Sequence, residues 1–246
     1  MKILITNDDG IEAEGIRRLA EWSVTLGEVF IFAPKYEQSG SSQSINIKHS
    51  YEVKRSDVFS DLGVTAYSVD SSPADCVRFA VDMLGADFDF VFSGINNGYN
   101  IGYDIAYSGT CAAGFEANYA GLKAIAFSAP KGDLSQSASH LPFAWEFLQK
   151  NDLLCHNCVM NVNIPPDMKE MLITEQGGTF YRDRFENVGG DMYKARLYLT
   201  RSLNGPFDLR YDADAVLSGF GSVTPLTVNK TDGEVLKRIK NCRGDH

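Results

Sequence analysis

Asn7-Asp8-Asp9-Gly10 sets two carboxylates side by side directly after the apolar run Lys2–Thr6. Adjacent carboxylates at the end of a buried segment repel each other, and a cation relieves that repulsion. Hard divalent cations such as Mg2+ and Mn2+ prefer oxygen ligands and leave positions open for water or phosphate. Asp8 and Asp9 supply the charge for such a site. Ser39, in Gln38-Ser39-Gly40-Ser41-Ser42, and Asn96, in Ser93-Gly94-Ile95-Asn96-Asn97-Gly98, are candidate neutral ligands. No histidine falls in these loops, which argues against zinc. The simpler alternative for Asp-Asp-Gly is a turn that caps a helix. Two further polar loops at the ends of strand-like runs weigh against it.

Residues 93–116, SGINNGYNIGYDIAYSGTCAAGFE, are dense in Gly and Asn. These residues permit left-handed backbone and close approach to a ligand. Tyr107-Ser108-Gly109-Thr110 then opens a helical stretch. Free N–H groups at a helix start, joined by the Ser108 and Thr110 hydroxyls, make an anion seat suited to phosphate. Plain capping by Ser108 explains that residue but not the glycyl and polar positions before it. A side chain at Gly109 is expected to crowd the phosphate and leave the carboxylates undisturbed, because they lie in another loop. The N–H groups of Gly40–Ser42 and Asn97–Gly98 are the next candidate seats.

Chemistry spread over such distant loops needs a scaffold that gathers it. Lys2–Thr6, Glu28–Ala33, Val64–Val69, Phe88–Phe92 and Lys123–Phe127 read as strands. Their near-continuous apolar character predicts burial on both faces, as in a parallel sheet. Helical patterns over Gly15–Leu26, Pro73–Leu84, Gly109–Tyr119 and Leu141–Gln149 alternate with them. The expected fold is α/β, a Rossmann-like doubly wound, mostly parallel sheet. In such sheets ligands bind beyond the carboxyl ends of the strands, so the three polar loops converge on one crevice.

Val159–Ile164, Met171–Thr174 and residues 219–226 keep strand character, and Glu234–Ile239 reads as a terminal helix. Residues 177–210 differ: they are rich in Gly, Tyr, Arg and Asp, with alternation over Tyr193–Leu199. A protruding hairpin arm is expected there, within a single domain spanning 1–246. Its Phe180, Tyr181, Phe185, Tyr193, Leu197 and Tyr198 have little core to pack on, which predicts an interface and a homodimer or larger.

An apolar fraction of 44% and a charged fraction of 22% are those of a globular protein. No apolar run approaches the roughly 20 residues of a membrane span. The opening MKILITNDDG is too short in apolar residues for a signal peptide, so a cytoplasmic location is expected. The net charge of -9 and the scattered Lys and Arg exclude a groove for polymeric nucleic acid. An acidic protein that handles phosphate needs a metal or backbone N–H groups to offset repulsion. Five cysteines, an odd number, suggest reduced thiols. Cys155-His156-Asn157-Cys158 looks like half a zinc site with no second pair to complete it.

Five stretches carry a resemblance: ILITNDDG (3–10), FAPKYEQSGSSQSI (32–45), SPADCVRFA (72–80), SGINNGYNIGYDIAYSGT (93–110) followed by AAGFEA, and DADAVLSGFGSVTPL (212–226). Together, and in this order, they resemble the SurE family (survival protein E) of metal-dependent nucleotidases. The resemblance implies hydrolysis of nucleoside 5′- and 3′-monophosphates to nucleoside and phosphate, and in some members of short polyphosphate. It places one divalent cation per subunit on Asp8, Asp9, Ser39 and Asn96, with Asp8 and Asp9 also catalytic. It puts the substrate phosphate at Ser108, Gly109 and Thr110, with Gly40 and Asn97 nearby. It further implies a homodimer or homotetramer built through the arm. Glu12-Ala13-Glu14-Gly15, Asn46 and Ser71-Ser72 depart from the usual pattern, and none is a metal ligand.

Attack by water in line with the leaving oxygen is the expected route, since both carboxylates are occupied as ligands. Other classes fit less well. A phospho-receiver domain also binds Mg2+ with acids after its first strand, but it has no use for residues 93–110. A dinucleotide-binding module wants G-x-G-x-x-G after the first strand. A haloacid-type phosphatase wants its second Asp two positions on, whereas Asp8 and Asp9 are adjacent.

Overall fold

Ile3, Leu4 and Ile5 are fully buried in the first strand. Ile3 and Ile5 enter one hydrophobic core and Leu4 enters another. A strand whose alternate side chains serve two cores must lie inside a layered sheet. The structure is a computed structural model that describes residues 1–85, 87–154, 158–179, 181–200 and 205–243.

The elements run β1 (Lys2–Thr6), α1 (Glu14–Ser23), β2 (Glu28–Pro34), β3 (Val53–Ser56), β4 (Thr65–Val69), α2 (Pro73–Leu84) and β5 (Phe90–Asn97). They continue with α3 (Gly109–Tyr119), β6 (Lys123–Ala129), α4 (Ser135–Ser139), α5 (Leu141–Lys150), β7 (Val159–Asn163) and β8 (Met171–Ile173). Last come β9 (Tyr181–Gly189), β10 (Met192–Leu199), α6 (Asp212–Leu217), β11 (Gly221–Leu226) and α7 (Gly233–Arg243). A nine-stranded sheet has the order β3-β4-β2-β1-β5-β6-β7-β11-β8. Strands β4 to β7 in that order pair in parallel, and β3 and β11 join antiparallel. The chain winds outward from β1 in both directions, so the carboxyl end of β1 is the point where winding reverses. Helices α1 and α5 cover one face, and α2 and α3 the other.

Small residues bring α3 close to the sheet. A Cβ on Gly114 would stand 2.6 Å from Val159 Cγ1. This depth carries the start of α3 down to the end of β1. On the opposite face Trp22 stacks on Phe92 at 5.7 Å, and Trp145 meets Phe90 edge-on at 5.1 Å.

The doubly wound architecture matches the sequence expectation, with local differences. Strand β5 runs on to Asn97, through residues expected to form a loop. Asn96 pairs with Ser128 and Asn97 with Ala129, after an irregularity that begins at Ser93. The fully buried Ile95 side chain anchors this extension. Helix α1 ends at Ser23 rather than Leu26, because Val24, Thr25 and Leu26 donate back to Ala20, Trp22 and Ser23 in closing turns. The short β3, α4 and α6 carry too little periodicity to be seen in sequence. Strands β9 and β10 form a separate antiparallel hairpin with every residue exposed. Phe180 lies outside the described residues, as do Cys155, His156 and Asn157. Cys158 is disulfide-bonded, which corrects the expectation of a reduced thiol at that position; an odd count leaves a thiol over without barring a pair. Cys76, Cys111 and Cys242 are free. Among the described residues no helix is long and apolar enough to cross a membrane.

Candidate active site

The Asn7 side-chain amide donates to Gly10 O at 2.8 Å and closes the turn after β1. Asp8 and Asp9 project from that turn. Asp8 is buried, and its Oδ1 accepts the Thr110 hydroxyl at 2.5 Å and is further supported by the Thr110 N–H. Asp9 is half-buried, and its Oδ2 accepts the Asn97 N–H at 2.9 Å. Burial pushes the Asp8 carboxyl up to about 6; the Thr110 hydroxyl opposes the rise and the Asp9 charge adds to it. Burial also raises Asp9, with the Asn97 N–H and Lys131 pulling it down and Glu37 pushing it up.

The serine-rich loop after β2 is drawn over this pair. Gln38 N–H donates to Asp8 O at 2.7 Å, and Ser42 N–H to Tyr107 O at 3.0 Å. Helix α2 anchors the loop from behind. The fully buried Asp75 accepts Asn46 N–H at 2.8 Å and the Ser71 hydroxyl at 2.6 Å. The Ser72 hydroxyl donates to Ser44 O at 2.6 Å. Below the third loop, the β7 amides of Asn161 and Asn163 donate to Asn100 O at 2.8 and 3.0 Å.

These loops enclose one cavity of about 440 Å³, lined by Asp8, Asp9, Ser39, Gly40, Asn96, Asn97 and Ser108. Every described residue that lines it falls between positions 8 and 131. Ser39 donates its hydroxyl to Glu37 at 2.6 Å, which leaves lone pairs on its oxygen. The Asn96 amide nitrogen donates to Gly98 O at 2.6 Å, which leaves its carbonyl oxygen as a ligand. Asn97 uses its N–H on Asp9 and its side-chain oxygen on Gly132 N–H at 3.0 Å, so its amide nitrogen is the donor it can offer.

The start of α3 differs from expectation. Its N–H groups are not free: Ser108 Oγ caps Cys111 N–H at 3.0 Å, Ser108 N–H donates to Ile105 O at 3.2 Å, and Thr110 serves Asp8. The anion held by this helix start is the Asp8 carboxylate, because α3 packs so deeply. Among the described residues Gly109 keeps the unpaired N–H. Gly109 also lies against the acid, since a Cβ there would stand 2.8 Å from both Asp8 Cβ and Ser41 Oγ. A side chain at Gly109 therefore disturbs the carboxylates, contrary to the reading that their separate loop protects them.

Sequence reasoning missed Glu37, Asp104, Asn100 and Lys131 in the lining. Lys131 follows the end of β6, so the strand-end rule applied to one more strand finds it. Among the described residues four acids, Asp8, Asp9, Glu37 and Asp104, line the cavity against the single cation Lys131. Such a site repels a dianionic phosphate until further positive charge enters. Among the described residues no cluster of three or more His, Cys, Asp and Glu forms a metal cage. Two carboxylates with hydroxyl and amide oxygens remain, a donor set that fits a hard divalent cation completed by water or substrate oxygens.

The profile of a family described as Survival protein SurE matches residues 3–183. The chain is 33% identical to the 5'-nucleotidase SurE of Thermosipho melanesiensis, covering 98% of this chain and 96% of that protein. It is 35% identical to the 5'-nucleotidase SurE of Vibrio cholerae El Tor Inaba N16961, covering 97% and 96%. The crystal structure of the SurE protein from Aquifex aeolicus superposes with a TM-score of 0.77 at 29% identity, covering 99% of this chain and 100% of that one.

Proposed function

Because this chain belongs to the SurE family, we propose that it is a 5′-nucleotidase, hydrolysing nucleoside 5′-monophosphates to nucleoside and phosphate. The observation that carries this reading is the acid pair at the winding reversal, with the buried Asp8 gripped by Thr110 and the half-buried Asp9 by Asn97. Asp8, Asp9, Ser39 and Asn96 would hold a divalent cation, Mg2+ or Mn2+ by its taste for oxygen. Bound there, the ion offsets phosphate charge and acidifies a water.

The chain's own groups do the rest. The Gly109 N–H, Gly40, the Asn97 amide and Lys131 receive the phosphate oxygens, with Ser108 beside them; Thr110 acts through Asp8. Asp9 is the more open carboxylate and orients the attacking water. One water adds to phosphorus as the bond to the ribose oxygen breaks, and that oxygen leaves carrying a proton. Hydrolysis of 3′-monophosphates and short polyphosphate belongs to the same proposal. A homodimer or homotetramer through the exposed arm, a single domain and a cytoplasmic location complete it.

The test is phosphate release from AMP and 3′-AMP by the wild type, after chelation, and after adding Mg2+ or Mn2+. Chelation should silence the enzyme, and either ion should restore it. Asp8→Asn and Asp9→Asn should each abolish turnover with the fold intact. Near-wild-type turnover by either variant would overturn the site.

A further inference from the structure

A second cavity, of about 410 Å³, opens beside the crevice and shares Gly98 and Lys131 with it. Its other walls are Tyr99, Pro130 and Leu217 from the body, and Tyr181, Leu197 and Leu199 from the arm. The two cavities have opposite chemistry: one is lined by acids, amides and hydroxyls, the other by aromatic and aliphatic side chains. The ridge between them is low. Gly98 has no side chain, and a Cβ there would come within 3.9 Å of Lys131 Cε, so the lysine stem runs along the same ridge. Lys131 lines both cavities, and its charge favours ionised Asp9. The arm meets the crevice wall at its root, where the Tyr181 backbone lies beside Asp104 and draws its carboxyl down against the rise that burial imposes.

A nucleoside monophosphate has this same division. Its phosphate is charged, its base is a flat, largely apolar ring system, and one ribose separates them. We propose that the second cavity seats the base of the substrate, with Tyr99, Leu197 and Leu199 as the residues that set selectivity. This inference rests on the nucleotidase reading. The phosphate enters the acid-lined crevice, the ribose crosses at Gly98, and the base is buried between Tyr99 and the arm leucines. Recognition is then by stacking and burial, not by a pattern of donors and acceptors. Every base has an apolar face, so the seat accepts all of them and favours purines by area. Leu197 is 70% exposed, so it has apolar surface left to give to a ligand.

Steady-state kinetics with AMP, CMP and ribose 5-phosphate test the proposal, because ribose 5-phosphate fills the crevice and the ridge but has no base. The wild type should favour AMP over ribose 5-phosphate through KM by at least about tenfold, the scale of an apolar contact in a pocket. CMP should fall between them. In Leu197→Ala/Leu199→Ala that preference should shrink by about tenfold, with kcat for AMP little changed. Adenosine should compete against ribose 5-phosphate hydrolysis in the wild type and less well in the variant. Tyr99→Leu, which keeps an apolar side chain but removes the ring, should weaken adenosine competition independently of the arm. An unchanged preference overturns the base seat. So does a variant whose sedimentation shifts while its preference holds, for then the cavity is filled by a second copy of the chain. A wild type that releases phosphate from none of the three substrates removes the nucleotidase reading, and the seat with it.

Discussion

Thr110, on the first turn of α3, donates its hydroxyl to Oδ1 of Asp8 at 2.5 Å across 102 positions of the chain. The bond fixes the buried acid and joins the helix layer to the carboxyl end of β1. Thr110→Val keeps the shape and removes the donor. Turnover should fall about tenfold to a hundredfold, and stability by about 1–3 kcal/mol for an acceptor left unpaired. Thr110→Ser should recover most of the activity. Steady-state rates and denaturant titration of the two variants decide the matter, and equal activity in both would deny the bond a role.

Asp8 gives a pH dependence whose sign is fixed. Burial raises its carboxyl to about 6 in the folded protein, whereas an unfolded aspartate titrates near about 3.9. In protein stripped of divalent cations the folded state therefore binds the proton more tightly than the unfolded chain. Stability is fully present below about pH 4 and is lost as pH rises to about 6, by about 3 kcal/mol in all. Asp8→Asn should remove this loss and melt higher than the wild type at pH 7 in chelator, while remaining inactive. Mn2+ should raise the wild-type melting temperature but not that of the variant. A wild-type profile that is flat between pH 4 and 7 in chelator would contradict this account.

Gly109 stands where a Cβ would press on Asp8 and Ser41. Gly109→Ala should lower kcat/KM for AMP by at least about 100-fold, the scale of losing an anion-stabilising group. Melting temperature and divalent-ion affinity should fall with it, since the carboxylate is displaced. Full stability and full ion affinity alongside lost activity would mean that the new methyl meets the phosphate instead.

The arm presents Phe185 at 71% exposure and Tyr193 at 63%. Large apolar side chains this open mark an interface. Phe185→Asp/Tyr193→Asp should convert the assembly to monomers in sedimentation velocity at micromolar concentration. A wild type that already sediments as a monomer would remove the basis for an arm-mediated oligomer.

Much of this molecule is legible in sequence because the parallel strands are buried on both faces. Runs such as Ile3–Ile5 and Val91–Phe92 announce themselves, and their spacing with helices gives the fold class. Asp8, Asp9, Ser39 and Asn96 line one cavity, as expected from reading each as placed just past a strand-like run. The end of β5 was not legible, since Asn96 and Asn97 look like loop residues while the buried Ile95 holds them in the sheet. Lys131 and Asp104 escaped because a single charged residue in a loop carries no periodicity. The occupied start of α3 was invisible for another reason. How closely a helix approaches a sheet depends on contacts such as Gly114 on Val159, which local pattern does not encode.

Among the described residues, those that line the crevice lie between positions 8 and 131, while three walls of the neighbouring apolar cavity come from the hairpin at 181–199. On the proposed base seat, part of substrate choice, at Leu197 and Leu199, is then carried by a stretch of the gene apart from the crevice, while Tyr99 stays with it. Substitutions at Leu197 and Leu199 would then change base preference while leaving the described crevice residues in place. This layout gives a lineage room to change its substrate while its chemistry stays the same.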